Sequence, residues 1–398
     1  MKKLFFKFFA IKNRLIFCAL LSLLCGFFPL HSHGQSVNAI DLTPVDHSGV
    51  PWRIAYVEVK PFANYAATLA NIITSLHRNG WIKSIDGLPY TKGQTDAHVI
   101  WEWMAKKQNE PFLKFVDDGF YTFDKLPSED FSKRADQVVN RLNDSKDIDL
   151  VLAMGTEAAE NISHHELAVP MVSMSTSNAR ESGIVKGDQF SGVHNVWAHM
   201  DPYRYKRQIE IFHDIFKFKT LGIAYDDDVA GRTFAAVNDV LEVAKARGIQ
   251  VVFEKVKQPR KYGRKKDLFA TDLEAAFTRL APKVDAVYLG LFIDNDPKRV
   301  EQELSPLISK KIPVFAQQAN DVARGALMSL ARQNFSEVGN FNAHTIIRIL
   351  KGEEPSTIPQ IYENSPNIII NLDTAKLINY RPRFELLLGA DQVVRAEK

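Results

Sequence analysis

The chain has little cysteine and no long apolar run beyond its first 34 residues. Both of its cysteines, Cys18 and Cys25, lie within that segment of the 398-residue sequence. The rest of the chain therefore has no thiol chemistry, no disulfide and no cysteine-ligated metal, which suits an oxidising compartment. No later stretch reaches the roughly 18 consecutive apolar residues typical of a membrane helix. We therefore expect a mature protein that is soluble outside the cytoplasm.

Signatures of common enzyme classes are absent as well. The sequence has no G-x-S-x-G, H-E-x-x-H or P-loop pattern, and no set of nucleophile, base and orienting residue is evident. His164 and His165 are the only adjacent histidines, and neighbouring residues do not share a helix face, so they do not predict a metal site. We predict a protein that is not an enzyme and that has no cofactor and no metal.

Charge is balanced once the first segment is set apart. Five of the 50 Lys and Arg residues and none of the 47 Asp and Glu residues lie within residues 1–34, so the remainder carries a formal charge of −2. A nearly neutral body has no general attraction for nucleic acid or anionic lipid. This argues against nucleic-acid binding and limits any membrane association to the periphery.

The first 34 residues have the order of a secretory signal peptide. A basic start is followed by an almost wholly apolar run from Leu15 to Leu30 and then by Ser32-His33-Gly34. This order predicts cleavage before Gln35 and export to the periplasm. A retained signal anchor and a lipoprotein that uses Cys25 are the alternatives. Residues 35–52 are predicted to form an N-terminal extension.

Short apolar runs and amphipathic helical patterns alternate along the rest of the chain. Arg53–Val59 predicts a strand, Ala63–His77 a helix and Asp149–Met154 a buried strand, and the pattern starts again at Thr220–Tyr225. Such alternation predicts an α/β fold of two doubly wound parallel-sheet lobes joined by a hinge. The expected boundaries are 53–195 for lobe 1 with an insertion at 86–111, 196–355 for lobe 2, and 356–398 for a C-terminal crossover that returns to lobe 1.

Ligands of open parallel sheets bind at the carboxyl ends of strands, where helix N-termini present free N–H groups. In this chain the residues after predicted strands are rich in hydroxyls and amides, which suit a carboxylate or another polar small molecule. Helix and turn capping is the alternative at each position taken singly. The predicted ligand-binding residues are Lys60, Phe62, Gly155, Thr156, Ser175, Thr176, Ser177, Asn178, Asp226, Asp228, Gln317 and Gln318.

Several short motifs occur in a fixed order between residues 53 and 394. They are Ala153–Ala159 (AMGTEAA), Val169–Val172 (VPMV), Gly183–Val185 (GIV), Asp285–Tyr288 (DAVY), Ile312–Ala316 (IPVFA), Gly325–Leu327 (GAL), Lys351–Pro355 (KGEEP) and Ala390–Val393 (ADQV). This set resembles the type-1 periplasmic binding proteins, specifically the family of ABC transporter substrate-binding proteins whose ligands include aromatic amino acids. The resemblance implies two lobes that are joined by three crossings of the chain and that close on a ligand. The ligand prefers the closed form and so shifts the equilibrium between open and closed forms toward it.

The sequence departs from that family at two places near the expected cleft. Asn178-Ala179 stands where the family commonly has Asp-Pro, and Leu330–Asn334 replaces a tyrosine-glycine stretch. Because of these differences, we do not assign the family's aromatic amino-acid ligand to this chain. We expect an amino acid or a related small polar ligand. It implies an ABC permease as partner. A receptor that signals to a membrane-bound sensor kinase or cyclase is the main alternative, and an exported hydrolase is the third.

Overall fold

The computed structural model describes most of the chain beyond the predicted signal peptide. Residues 1–34 lie outside the described residues, as does the start of the predicted extension. Among the helices that are described, none has both the length and the apolar character needed to cross a bilayer. The described residues are 40–256, 266–292, 297–330, 335–362 and 367–395.

A five-stranded parallel sheet forms the first lobe. Its strands are β1 (Trp52–Glu58), β2 (Leu113–Thr122), β3 (Leu150–Met154), β4 (Met171–Met174) and β5 (Val196–Ala198). They lie in the order β2-β1-β3-β4-β5, and each is parallel to its neighbours. β3 and β4 are buried along their whole length, which is typical of parallel strands that helices cover on both faces.

Helices cover both faces of this sheet, and four of them precede β5 in the chain. They are α1 (Ala63–Arg78), α2 (His98–Ala105), α3 (Phe131–Asp144) and α4 (Thr156–Ser163). Ile54 and Leu152 on one face pack against α1 and α2, while Ala55 and Val151 on the other face pack against α3 and α4. The alternation along each strand thus divides the lobe into two apolar cores.

Residues 86–111 contain the short helix expected there, and that helix contributes to the core. Trp101 of α2 is fully buried, and its indole N–H donates to the carbonyl of Val116 at 3.0 Å. The segment then leads directly into β2 at the edge of the sheet. β2 itself was not predicted from the sequence.

A seven-stranded sheet forms the second lobe. Its strands are β6 (Thr220–Asp226), β7 (Gln250–Val256), β8 (Ala286–Leu289), β9 (Val314–Ala316), β10 (Met328–Ser329), β11 (Ile369–Asn371) and β12 (Gln392–Val394). Their order is β12-β11-β10-β9-β8-β6-β7. All neighbours are parallel except β10 and β11, so the fold is the expected pair of α/β lobes with one antiparallel junction.

The helices that follow β5 divide between the two lobes. They are α5 (Arg204–Phe216), α6 (Val229–Phe234), α7 (Val237–Arg247), α8 (Lys266–Leu280), α9 (Val300–Ser309), α10 (Ala319–Val322), α11 (Ser336–Leu350), α12 (Leu372–Leu377) and α13 (Phe384–Leu388). α11 differs from the others, because Ile346 and Ile347 pack in the same core as Ile72 and Ile73 of α1. α11 therefore covers the first sheet.

The lobe boundaries expected from the sequence need correction at three places. Residues 196–198 were assigned to lobe 2 but form β5, which pairs with β4 in the first sheet, and residues 336–350 were assigned to lobe 2 but form α11, which covers lobe 1. Residues 356–398 were expected to return to lobe 1, yet β11 and β12 extend the second sheet. The physical reason is that the amphipathic pattern of a helix or strand does not identify which apolar surface it covers.

Along the described residues the chain changes lobe three times, and the segment around Met200 runs beside the segment around Tyr362. The backbone N–H of Met200 donates to the carbonyl of Gln360 at 3.0 Å, and that of Tyr362 donates to the carbonyl of Met200 at 2.8 Å. These two bonds tie together the segments that connect the lobes, which is where a hinge motion would take place.

Candidate ligand-binding site

The strand ends of both sheets face one cavity with a volume of about 190 Å³. On the side of lobe 1, Lys60 follows β1, Thr156 follows β3 and Ser177 follows β4. On the side of lobe 2, Leu291 follows β8 and Gln317 follows β9. This is the position that the topology of open parallel sheets gives to ligand sites.

Nine of the twelve predicted ligand-binding residues line this cavity, so the structure brings them together although they are far apart in sequence. Whether they contact a ligand remains a prediction. The nine are Lys60, Phe62, Thr156, Ser175, Thr176, Ser177, Asn178, Gln317 and Gln318.

Asp226 and Asp228 do not line the cavity, contrary to the prediction. Asp228 is the N-cap of α6, and its carboxylate accepts a hydrogen bond from the backbone N–H of Gly231 at 2.7 Å. The capping alternative accounts for the position of this side chain. Asp226 ends β6 and accepts the backbone N–H of Asp228 at 2.8 Å through its carbonyl, within the same turn.

Gly155 also lies outside the cavity lining, but it positions a residue that is part of it. Its φ of +89° is in a region that side chains rarely adopt, and its N–H donates to the carbonyl of Met174 at 2.8 Å. A Cβ atom at this position would lie 2.0 Å from the hydroxyl oxygen of Tyr65. Glycine thus allows the ring of Tyr65, which lines the cavity, to approach the turn between β3 and α4.

Hydroxyl groups hold the lobe 1 wall of the cavity together. The Thr156 Oγ1 accepts the backbone N–H of Ser177 at 3.0 Å, which joins the turn after β3 to the turn after β4. The hydroxyls of Thr68 and Ser175 lie 3.3 Å apart. Thr156 is also the first residue of α4, so the positive end of that helix dipole lies at the cavity wall.

Several polar lining residues were not among the predicted ligand-binding residues. Glu157 follows the predicted strand β3, but the others lie on helices or in the connection after β5, where the sequence predicted no strand end. They are Tyr65, Thr68, Glu157, His199, Asp201, Arg204, Arg207, Gln208 and Asp239. Two of them form an ion pair, in which Nη2 of Arg207 lies 2.8 Å from Oδ1 of Asp201.

Asp239 places a buried carboxyl group in the lobe 2 wall. It is 8% exposed, and within the described part of the chain its carboxylate has no hydrogen-bond partner. Burial raises the pKa of Asp239 to about 6; the negative charges of Glu181 and Glu242 also raise it, and the ammonium of Lys206 lowers it. A cationic ligand group would stabilise the ionised carboxylate here.

Glu181 connects the two lobes next to Asp239. It lies between β4 and β5 in lobe 1, and its Oε1 accepts a hydrogen bond from Nδ2 of Asn238 on α7 at 2.8 Å. This contact brings the carboxylate of Glu181 close enough to Asp239, the next residue after Asn238, to raise its pKa. The two lobes are therefore in direct contact beside Asp239.

Aromatic rings supply the apolar part of the cavity lining. They are Phe62, Tyr65, Tyr205, Phe234 and Phe335. The rings of Phe62 and Tyr65 meet edge to face with their centroids 5.2 Å apart. A cavity smaller than the roughly 300 Å³ of a drug-sized site suits a small metabolite with an apolar portion and a few polar groups.

Across the described ranges, no group of three or more His, Asp or Glu side chains is arranged to hold a metal ion. The polar groups of the cavity are hydroxyls, amides and ions of both signs, which suit recognition of a small organic molecule.

Comparison with known proteins places this architecture in a family. Residues 121–394 match the family model described as ABC transporter substrate binding protein. A tyrosine-binding protein of Clostridioides difficile (strain R20291) is 22% identical over 298 residues, which cover 72% of this chain and 79% of that protein. The motifs found in the sequence and the relatives thus agree on the family.

Solved structures share the fold at low sequence identity. A conserved domain protein from Vibrio cholerae has a TM-score of 0.63 and 18% identity, covering 86% of this chain and 99% of that one. An ABC domain from Streptococcus pneumoniae in complex with L-Trp has a TM-score of 0.62 and 18% identity, covering 86% of this chain and 100% of that one. Members of the matched family are substrate-binding proteins, which confirms the prediction that the chain is not an enzyme. The chain belongs to the ABC transporter substrate-binding protein family.

Proposed function

We propose that this protein captures an amino acid, or a closely related molecule, outside the cytoplasm and delivers it to an ABC importer. The observation that carries the proposal is that strand ends of both lobes line one shared cavity. Proteins of this family bind small molecules and work with a membrane transporter. The family match therefore favours transport over signalling to a sensor kinase or cyclase.

The lobe 1 wall is suited to the ligand carboxylate. Thr176 and Ser177 line the cavity beside the N-terminus of α4, where the helix dipole favours negative charge. Because Thr156 already accepts the N–H of Ser177, it fixes the position of this turn. We therefore assign carboxylate binding to the turn after β4 and a positioning role to Thr156.

The lobe 2 wall is suited to the ligand ammonium group. Asp239 is a buried acceptor in this wall, and hydrogen bonds that involve a charged group are among the stronger ones. A ligand whose carboxylate contacts lobe 1 and whose ammonium contacts Asp239 binds the closed arrangement better than an open one. Its differential affinity would shift the lobes toward closure.

The aromatic lining favours an apolar or aromatic ligand side chain. Phe62 and Tyr65 come from lobe 1, and Tyr205 and Phe234 come from lobe 2, so apolar surface is available from both lobes. The relatives named for tyrosine and L-Trp are consistent with a ligand of this class.

A thermal-shift screen of residues 35–398 tests the proposed ligand class. The panel contains amino acids, dipeptides, nucleosides and organic acids. A ligand present at 100 times its dissociation constant stabilises the protein by about 2.7 kcal/mol. We expect the largest shift from an amino acid, and stabilisation only by nucleosides or by organic acids that lack an amino group would contradict the proposal.

The variant Asp239→Asn tests ammonium recognition. Loss of a hydrogen bond to a charged group costs about 1.5–3 kcal/mol, so we expect the affinity for the best amino acid to fall about 10- to 100-fold. Because only the ionised carboxylate balances an ammonium group, the wild-type affinity should rise from about pH 5 to about pH 7, through the pKa of about 6 of Asp239. Asp239→Asn should lose this dependence.

The matched control is Asp228→Asn, which lies outside the cavity lining and keeps its N-cap oxygen. Titration calorimetry should show unchanged affinity for this variant. If Asp239→Asn binds as tightly as Asp228→Asn, the ammonium group lies elsewhere.

Deletion of the gene tests the transport role. It should reduce uptake of the labelled amino acid by cells, and unchanged uptake would favour the signalling alternative.

A further inference from the structure

Two buried glutamines stand close to one tyrosine in the lobe 2 wall of the cavity. Gln208 of α5 and Gln317 after β9 both line the cavity, with exposures of 1% and 2%. Neither Nε2 atom has a hydrogen-bond partner among the residues that the structure describes. Both amide groups therefore bring N–H donors to the same wall.

Tyr288 fixes the orientation of one of these amides. Its hydroxyl donates to Oε1 of Gln208 at 2.6 Å, inside the fully buried core of lobe 2. Burial raises the pKa of Tyr288 well above its ordinary value, so the hydroxyl keeps the proton that it donates. Because the amide oxygen of Gln208 is bonded to Tyr288, the nitrogen is the end left without a partner among the described residues.

Gln317 follows β9, which neighbours the strand β8 that carries Tyr288. Its side chain is near enough to the Tyr288 hydroxyl to lower the pKa of that group against the larger effect of burial, although its Nε2 has no hydrogen-bond partner among the described residues. Buried amide N–H groups without an acceptor are rare in folded proteins, because each costs its desolvation free energy. Two of them in one cavity wall call for an acceptor that comes from the ligand.

We propose that Gln208 and Gln317 form a donor pair that selects ligands whose side chain ends in an oxygen acceptor. The inference rests on the proposed amino-acid ligand, with its carboxylate at lobe 1 and its ammonium at Asp239. A phenol, hydroxyl, carboxamide or carboxylate oxygen satisfies the pair. A hydrocarbon or thioether side chain leaves both N–H groups buried without an acceptor, and an indole offers only a donor.

Two pairs of amino acids test this selection by titration calorimetry. L-tyrosine and L-phenylalanine differ only in the phenol oxygen, and L-glutamine and L-methionine are similar in length but differ in the terminal oxygen acceptor. A site built to bond an oxygen discriminates strongly against an analogue that lacks it. We expect at least a tenfold preference for the oxygen-bearing member in the pair that the cavity accommodates.

Substitutions of the two glutamines test whether they cause the preference for an oxygen-bearing ligand. In Gln317→Met, we expect the preference to fall by about tenfold through weaker binding of the oxygen-bearing ligand, with the affinity for its partner unchanged. The double variant Gln208→Met/Tyr288→Phe removes the second donor together with the hydroxyl that depends on it, so no buried hydroxyl is left unpaired. The matched control is Gln250→Met, at an exposed glutamine of β7.

The outcomes distinguish this inference from the proposed function. Equal affinities within each pair in the wild-type protein, or an unchanged preference in Gln317→Met and in the double variant, overturn the donor pair while amino-acid binding stands. No binding of any amino acid overturns the proposed ligand class and this inference with it. Unfolding of each variant without ligand, followed by circular dichroism, shows that the measured protein is folded.

Discussion

Substitution of Gly155 by alanine should disturb both the backbone and the cavity. Gly155 has φ +89° and ψ 158°, a combination that is essentially confined to glycine. Forcing alanine into such a conformation costs about 1–3 kcal/mol. The added Cβ would also lie 2.0 Å from the hydroxyl oxygen and 2.6 Å from Cζ of Tyr65, so the ring must move by more than an ångström.

Displacement of a packed side chain by an extra methyl group costs about 1–3 kcal/mol more. We therefore expect Gly155→Ala to lower the free energy of unfolding by about 4 kcal/mol. Since Tyr65 lines the cavity, its ring should move into the ligand space and weaken binding of the best amino acid by at least about tenfold. Urea denaturation and titration calorimetry measure the two effects.

Gly93→Ala is the matched control. Gly93 has the same φ of +89°, and a Cβ there meets nothing within 4 Å. This variant should show only the backbone cost of about 1–2 kcal/mol and unchanged ligand affinity. If Gly155→Ala and Gly93→Ala lose the same stability and both bind normally, the contact with Tyr65 is not the reason for glycine at position 155.

Two further predictions concern stability. Burial raises the pKa of Glu58 to about 7, well above the 4.5 of an exposed glutamate, while the hydroxyl of Tyr56 donates to its carboxylate. Between these values only the unfolded chain loses the proton, so the free energy of unfolding should fall as pH rises from about 4.5 to about 7, by about 3 kcal/mol at most. In Glu58→Gln the urea denaturation midpoints should fall less over this range, because only other buried carboxyls with a raised pKa, such as Asp239 and Asp321, still contribute. A pH profile identical to that of the wild type would refute the assignment. Asp228→Ala removes the N-cap hydrogen bond, so its free energy of unfolding should fall by about 1 kcal/mol while its ligand affinity stays unchanged. Weaker ligand binding by this variant would show that Asp228 is part of the ligand site.

The sequence predicted most of the strands but missed β2 and the short strands β5 and β12. β3 was expected at Asp149–Met154 and lies at Leu150–Met154, because a continuous apolar run between polar ends is distinctive. β2 carries exposed Asp117 and Asp118 in its centre, where its pairing with β1 shifts register. Such a bulge gives neither a period of two nor a continuous apolar run, so the pattern did not indicate a strand.

The same limit explains which parts of the site could be predicted. Topology places strand ends at a ligand site, so residues such as Ser177 and Gln317 follow from the sequence once the strands are known. Asp239 and Gln208 come from helix faces, and only the packing of α5 and α7 brings them to the cavity. Whether a strand-end aspartate caps a helix, as Asp228 does, depends on the turn that follows it.

The position of α11 has a practical consequence for work with fragments of this protein. Lobe 1 is not a continuous stretch of chain, since α11 covers Ile72 and Ile73 of α1 yet follows most of lobe 2 in sequence. A polypeptide cut after the first passage between the lobes would leave this face of α1 bare and prone to aggregate. Separate production of lobe 1 therefore requires grafting residues 336–350 onto the shortened chain, or supplying them as a complementing peptide.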